Sequence, residues 1–428
     1  MPQPLCFVDA TYYNSNEFPE IAAAFTDHPE VCTVSGRAFQ FKVVGILCVG
    51  SQPLVVFPKN YGTPEENENL IDDAKTLARA LLRYRSEVGH DENELQLLFG
   101  DSDLSSNRIA SAMFLLEDYC QNGYLRRQTV ISTTNASGRT DWAATINKTT
   151  PIINHGRPLY TTPVIKKRIS DTHNIICLTH KYVIQDCFSE WGWFFGLEGN
   201  RAEKVSLPVS PVEAIRLLKS ELRNTYLERE VLVIQNLIKY LSEKYGIEQS
   251  RKLDVLATPY FSFVWEAICG YLFNNQYPRL KVLMPQPVWE SDIVRGNIAQ
   301  RPDIFFVRRN ALYILDAKYY NYNHNIPGWH DVVKQLFYRH SMMSVAETRQ
   351  FYRLLPTAQL IQNAFLFPGN GEDLLYVGKV KVPQVEDLGE VWAFAINQKK
   401  ALYAYAYRDD LHFAETVRCS LTQAYELM

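Results

Sequence analysis

Three features of the sequence predict an α/β chain, α+β overall. Within residues 251–428, helical and extended periods follow one another in the order helix, strand, strand, strand, helix, strand. Residues 1–62 hold short β-type runs broken by turn residues, and 209–250 keep a helical period almost without a break. The chain therefore divides into a β-rich N-terminal region (1–62), an α+β region (63–208), connecting helices (209–250) and a C-terminal α/β domain (251–428).

In the first region Phe39–Val44 alternates in part, and Leu54–Phe57 is a buried-type run ended by Pro58. Leu70–Val88 is expected as a helix, with Ile71, Ala74, Leu77, Ala78, Leu81 and Leu82 on one face. A second helix over Arg108–Tyr119 leads into Gly123-Tyr124-Leu125-Arg126-Arg127 and a polar loop from Ser132 to Arg139, an order reminiscent of a winged helix. Residues 210–246 read as one long helical segment, opened by Ser210 as N-cap, Pro211 at the first helical position and Glu213 in the first turn. The C-terminal domain starts with a helix over Phe261–Asn274 and a strand over Lys281–Met284. Strands over Asp303–Val307 and Leu312–Leu315 are joined by a polar turn at Arg309-Asn310. A helix over Gly328–Met342 and a strand over Leu360–Phe367, stopped by Pro368-Gly369-Asn370-Gly371, complete the set. Strands over Val391–Ile396 and Leu402–Tyr407 and a last helix over His412–Leu427 follow, with Tyr403, Tyr405 and Tyr407 read as core.

The chemistry concentrates at the strand pair. Side chains alternate along a strand, so Asp316 and Lys318 share one face and Leu315, Ala317 and Tyr319 the other. Asp303 on the neighbouring strand supplies a second carboxylate. Two carboxylates with the intervening Ala317 carbonyl suit a hard, oxygen-loving cation such as Mg²⁺ or Mn²⁺, and Lys318 is then placed to steady developing negative charge. This is a minimal kit for metal-assisted phosphodiester cleavage.

Composition narrows the setting. A net charge of −3 excludes a global basic field, so nucleic acid must be met by a local patch. Arg126, Arg127, Arg139, Lys148, Arg157, Lys166, Lys167 and Arg168 crowd one stretch, with Trp142 and Tyr160 among them, and are the expected DNA contacts. The eight cysteines are scattered without a Cys-x-x-Cys pair, which fits buried thiols in a reducing cytoplasm. No signal peptide and no apolar run of membrane-spanning length is read, so no membrane partner is expected. The oligomeric state stays open, a homo-oligomer included.

With Pro302-Asp303 and Asp316-Ala317-Lys318 set in that order of elements, the C-terminal domain resembles the PD-(D/E)xK nuclease core of restriction-endonuclease-like folds. The resemblance implies a metal-dependent deoxyribonuclease acting on double-stranded DNA. It adds Glu266, on the first helix, to the metal site with Asp303, Asp316 and the Ala317 carbonyl. It adds Gln335 to the catalytic set through a Gln-x-x-x-Tyr-like element, although Tyr338 stands one residue closer than that spacing. Gly138–Ile146, Pro151-Ile152 and Pro158-Leu159-Tyr160 are similar to the central signature of the LlaJI family of restriction endonucleases, which is related to McrC-type subunits. The joint resemblance covers about residues 105–370. It implies an McrB-like AAA+ GTPase as a separate partner, with residues 1–62 as the region that docks it. The chain has no phosphate-binding loop of its own: before Gly378-Lys379, Asp373 stands where the first glycine belongs, and Val380 follows where a hydroxyl belongs. The competing reading is a DNA-binding or adaptor subunit whose nuclease fold has lost catalysis.

Overall fold

A computed structural model describes residues 4–49, 52–62, 70–88, 107–134, 137–171, 174–192, 205–246, 253–287, 300–408 and 411–427. The chain opens with β1 (Leu5–Val8), β2 (Tyr12–Asn14), α1 (Pro19–Ala24), β3 (Cys32–Ser35), β4 (Ala38–Phe41), β5 (Val44–Val49), β6 (Gln52–Phe57) and α2 (Leu70–Val88). There follow α3 (Asn107–Asn122), β7 (Gln128–Thr133), β8 (Arg139–Thr140), α4 (Trp142–Lys148), β9 (Ile152–Asn154), β10 (Arg157–Leu159) and β11 (Ile165–Ser170). Helices α5 (Ile175–Trp191), α6 (Pro211–Leu222) and α7 (Glu228–Lys244) come next. The remainder holds β12 (Leu253–Thr258), α8 (Phe261–Leu272), α9 (Tyr277–Leu280), β13 (Ile304–Arg308), β14 (Ala311–Ala317), α10 (Trp329–Val345) and α11 (Arg349–Leu354). It ends with β15 (Leu360–Gly369), β16 (Leu374–Lys381), β17 (Glu390–Asn397), α12 (Gln398–Tyr407) and α13 (Leu411–Leu427). Two compact units result, one of residues 107–251 and the other of residues 2–106 together with 252–428.

The discontinuous unit contains two larger sheets. The first has the order β1-β6-β5-β12, with β1 and β6 parallel and the other pairs antiparallel. Because β12 completes this sheet, residues 1–62, read from sequence as a separate region, share a unit with the C-terminal domain. Phe7, Phe25, Phe39 and Phe41 fill the core between it and the small sheet β2-β4-β3. Four rings in edge and tilted contacts supply a large apolar area from few residues.

The second sheet has the order β13-β14-β15-β17-β16. Here β13 and β14 form the expected hairpin about Arg309-Asn310, β14, β15 and β17 run parallel, and β16 closes the edge antiparallel. Strand β14 is buried along nearly its whole length, as a central strand covered on both faces must be. Two expected strands are absent. Lys281–Leu283 is a 3₁₀ turn continuing α9, where Leu280, Leu283 and Met284 pack beside Phe305 and Leu312. Leu402–Tyr407 lies in α12: Ala401, Leu402, Ala404 and Tyr405 are buried at helical spacing, and Tyr403 is exposed, so only the central tyrosine of that stripe is core.

In the other unit, α3, α5, α6 and α7 accompany a three-stranded sheet of order β7-β11-β8 and the hairpin β9–β10. The segment 210–246 is two helices rather than one, interrupted at 223–227. Its start is as expected: the Ser210 hydroxyl accepts from Glu213 N at 3.4 Å, with Pro211 opening the helix. All eight cysteines are free thiols, and among the described residues no helix is long and apolar enough to cross a membrane.

The β5–β12 junction depends on Gly45. Its φ is +147°, and an added Cβ would lie 2.2 Å from the Leu256 carbonyl oxygen and 2.5 Å from Ala257 Cα. Gly45→Ala should therefore lower stability by on the order of 3 kcal/mol, read as a drop in the chemical-denaturation midpoint. An unchanged midpoint would mean that this pairing does not hold the sheet together.

Candidate active site

The hairpin brings the two motif carboxylates together. Asp303 precedes β13 and accepts the amide N–H of Ala317, at the end of β14, at 3.0 Å. Asn275 brackets the same point: its Nδ2 donates to the Asp303 carbonyl at 2.8 Å while its Oδ1 accepts from Phe305 N at 3.0 Å. Asp316 lies in the last turn of the ladder on β14 and is only 2% exposed. Neither of its carboxylate oxygens receives a hydrogen bond of ordinary geometry. Two ammonium groups compensate it instead, Lys318 at 2.8 Å from Oδ2 and Lys334 at 3.8 Å from Oδ1.

Lys318 is held twice, because its Nζ also lies 3.0 Å from Asp331 Oδ1 on α10. The Tyr320 hydroxyl donates to the other Asp331 oxygen at 3.3 Å. Burial alone would lower the Lys318 pKa, but the Asp316 and Asp331 carboxylates outweigh it and leave the group above the usual lysine range. Backbone contacts fix the strand end as well. Lys318 N donates to the Leu366 carbonyl at 2.9 Å, and Trp265 Nε1 donates to the same oxygen at 3.1 Å, pinning α8 to β15.

Glu266, one residue on from Trp265, joins this electrostatic group. Burial raises its pKa, Asp316 adds to the rise, and Arg301, Lys334 and Lys318 oppose it. Asp303 is raised to about 8, first by burial and then by the Asp316 and Glu266 carboxylates. Gln335 does not join them. Its side chain is 1% exposed, and its Nε2 donates to the Ile314 carbonyl at 2.7 Å, so it holds α10 against β14. Tyr338 likewise anchors backbone, donating to the Arg301 carbonyl at 3.1 Å. Two site residues escaped the sequence reading, Asp331 and Lys334. Their signal is helical: Asp331, Lys334 and Tyr338 stand at i, i+3 and i+7 on one face of α10.

The basic residues of the other unit divide in two. Arg127 is engaged with Glu221 at 2.9 Å and Glu230 at 2.5 Å, so it ties β7 to α6 and α7 instead of standing free. Lys166 pairs with Asp141 at 2.9 Å while staying exposed. Arg126, Arg139, Lys148, Arg157, Lys167 and Arg168 are exposed, as is Trp142.

Among the described residues no three His, Cys, Asp or Glu side chains form a ready metal cage. The donor set nevertheless fits Mg²⁺. That ion takes one or two carboxylates and fills its remaining positions with water and substrate phosphate. Asp316 offers two buried oxygens met only by the Lys318 and Lys334 ammonium groups, and Asp303 accepts from the amide of the next residue.

The sequence itself is matched as a restriction-system protein. The family described as LlaJI restriction endonuclease matches residues 43–399, and the chain belongs to that family. It is 26% identical over 353 residues to the type II restriction enzyme BsuMI component YdjA of Bacillus subtilis (strain 168), covering 77% of this chain and 72% of that one. Among solved structures, it is similar to a chain of the Thermococcus gammatolerans half-complex of McrB AAA+ hexamers with bound McrC. There the identity is 11%, the TM-score 0.43, and the coverage 94% of this chain and 98% of that one. A chain of the T. gammatolerans McrBC complex gives 12% identity and a TM-score of 0.29 over 56% of this chain and 80% of the other.

The raised Asp303 makes a stability prediction. An unfolded aspartate titrates near 3.9, about four units lower, so between the two values the folded state holds a proton that the unfolded state has lost. This stabilisation is complete below the unfolded value and is lost as pH rises toward 8. Asp303→Asn keeps an acceptor for Ala317 N and removes the charge. Its Tm should exceed wild type by a few degrees at pH 8.5 and by much less at pH 5, by calorimetry. Equal differences at both pH values would mean that Asp303 is not charge-strained.

Proposed function

We propose that the chain is the DNA-cleaving subunit of a restriction or anti-phage system, hydrolysing phosphodiester bonds with Mg²⁺ or Mn²⁺ in the cytoplasm. The supporting observation is the meeting of Asp303, Asp316 and Lys318 at one end of the β13–β14 hairpin, with Glu266 in the same electrostatic group. In this reading the fold around them is a PD-(D/E)xK core. Asp303, Asp316, the Ala317 carbonyl and Glu266 hold the ion. Bound there, the ion would lower the pKa of a water and offset charge on the phosphate. Lys318, locked by Asp316 and Asp331, keeps a fixed positive charge beside the acids and orients the attacking water. Gln335 acts indirectly, by holding α10 in register with β14.

The DNA is met by the exposed basic residues between Arg126 and Arg168, in the region 63–208 read as winged-helix-like. An McrB-like AAA+ GTPase acts in trans and docks on residues 1–62. That partner is what the family resemblance implies, and it would supply the nucleotide-binding loop that is not read in this sequence.

Plasmid cleavage tests the reading directly. Asp316→Ala should abolish cutting in Mg²⁺ without loss of DNA binding, and Lys318→Ala should cut at least about 100-fold more slowly while still binding metal in calorimetry. Cutting should be weak for the chain alone and should rise on adding the partner and GTP. Wild-type cutting by Asp316→Ala would refute this hairpin as the cleaving site, and a wild type that never cuts would leave the adaptor reading in its place.

Arg126, Arg139, Lys167 and Arg168 changed together to Gln should weaken duplex binding and flatten its salt dependence by up to about one unit of slope per residue. Arg127→Gln should chiefly lower Tm, because Glu221 and Glu230 lose their shared partner. An unchanged salt slope in the fourfold variant would move the DNA-binding surface elsewhere.

A further inference from the structure

We propose that Lys334 is a second catalytic lysine, whose ammonium donates to a non-bridging oxygen of the phosphodiester being cut. The inference rests on the nuclease reading above and assigns the substrate contact within that site.

The two lysines at Asp316 differ in how they are held. Lys318 is bound by two carboxylates at 2.8 and 3.0 Å, and its side chain is 16% exposed. Its charge is committed to keeping the acids together. Lys334 approaches the other Asp316 oxygen at 3.8 Å, the long end of an ion pair, and its side chain is 35% exposed. Its ammonium lies 5.5 Å above the Tyr338 ring, which is itself anchored through its hydroxyl to the Arg301 carbonyl. Helix and ring thus hold the group at the acids while leaving N–H donors toward solvent, since an ammonium carries three.

Electrostatics supplies the need. Glu266, Asp303 and Asp316 repel one another, and a phosphodiester adds a further negative charge to the same place. A cation that can turn from Asp316 to the phosphate removes that barrier, and it gains strength as charge builds on the phosphate oxygens. Lys318 would have to leave two carboxylates to do the same; Lys334 leaves one distant one. Lys334 makes and breaks no covalent bond in this role.

The test uses the full chain with a short duplex. Binding is measured in Ca²⁺ and cleavage in Mg²⁺, with the GTPase partner and GTP present where cutting needs them. Lys334→Gln should lower the cleavage rate at saturating DNA by about 100-fold. It should reduce the salt slope of duplex binding by about one. Mn²⁺ affinity by calorimetry should stay within twofold of wild type. Lys334→Arg should recover most of the rate, which a merely structural lysine would not require. An unchanged rate in Lys334→Gln, or a lost Mn²⁺ affinity, overturns the proposal while leaving the nuclease reading intact. If wild type fails to cut under every condition, the nuclease reading falls and the catalytic role of Lys334 falls with it; an unchanged salt slope in Lys334→Gln overturns the phosphate contact on its own.

Discussion

Three carboxylates within electrostatic reach of one another and largely away from water constrain everything around them in the C-terminal sheet. A lone buried carboxylate would discharge by taking up a proton, and neighbouring ones raise each other further. Asp303 and Glu266 follow that rule, both lifted first by burial. Asp316 is met on both oxygens by ammonium groups. The structural arrangement is therefore an acid cluster balanced by a fixed lysine, with a looser one at its edge. Such a cluster adds little to stability, because desolvation offsets much of the Coulomb attraction. Its persistence must be carried by the packing that surrounds it.

That packing is concentrated at the end of β14. Tyr319, next to Lys318 and on the opposite face, donates its hydroxyl to Asp9 at 3.1 Å and accepts from Lys59 N at 2.8 Å. Lys59 Nζ completes the group, 3.8 Å from Asp9 and 4.8 Å from the tyrosine ring centre. Asn60 Nδ2 donates to both the Tyr320 and Pro368 carbonyls, at 3.2 and 3.0 Å. Residues just after β1 and β6 thus clamp the chain beyond β14 and Pro368, two residues past Leu366, whose carbonyl receives Lys318 N and Trp265 Nε1. A segment read from sequence as a separate β-rich region turns out to buttress the strand that bears the motif.

What was legible in the sequence was what local periodicity encodes. The β13–β14 hairpin and its face assignment followed from alternation and a polar turn, and the Ser210-Pro211 helix start from capping chemistry. Non-local events were not legible. Nothing near Val44 announces that β5 will pair with residues 253–258, and nothing near Arg127 announces Glu221 and Glu230, about a hundred positions away. Leu402–Tyr407 misled because aromatic residues favour strands, yet its alanines and leucine carry the helical period that packing selects. Gln335 misled differently. A motif fixes which residue type sits on a helix, but only the helix rotation decides whether that side chain faces the acids or the neighbouring backbone, and here it reaches Ile314 O.

The same rotation accounts for the residues that motif reading overlooked. With Gln335 and Leu336 turned into the core, the adjoining face of α10 carries Asp331, Lys334 and Tyr338 past the strand end. Asp331 thereby becomes the second anchor for Lys318, and Tyr338 supports both Lys334 and the Arg301 backbone. A helix packed across a sheet delivers side chains at three- and four-residue steps, whereas the strands deliver them every second residue. The charge balance at Asp316 needs one contribution of each kind, Lys318 from the strand and Lys334 from the helix. The site is therefore a property of the α10–β14 contact. A change that slides that helix would disturb the acids as surely as a change to an acid itself.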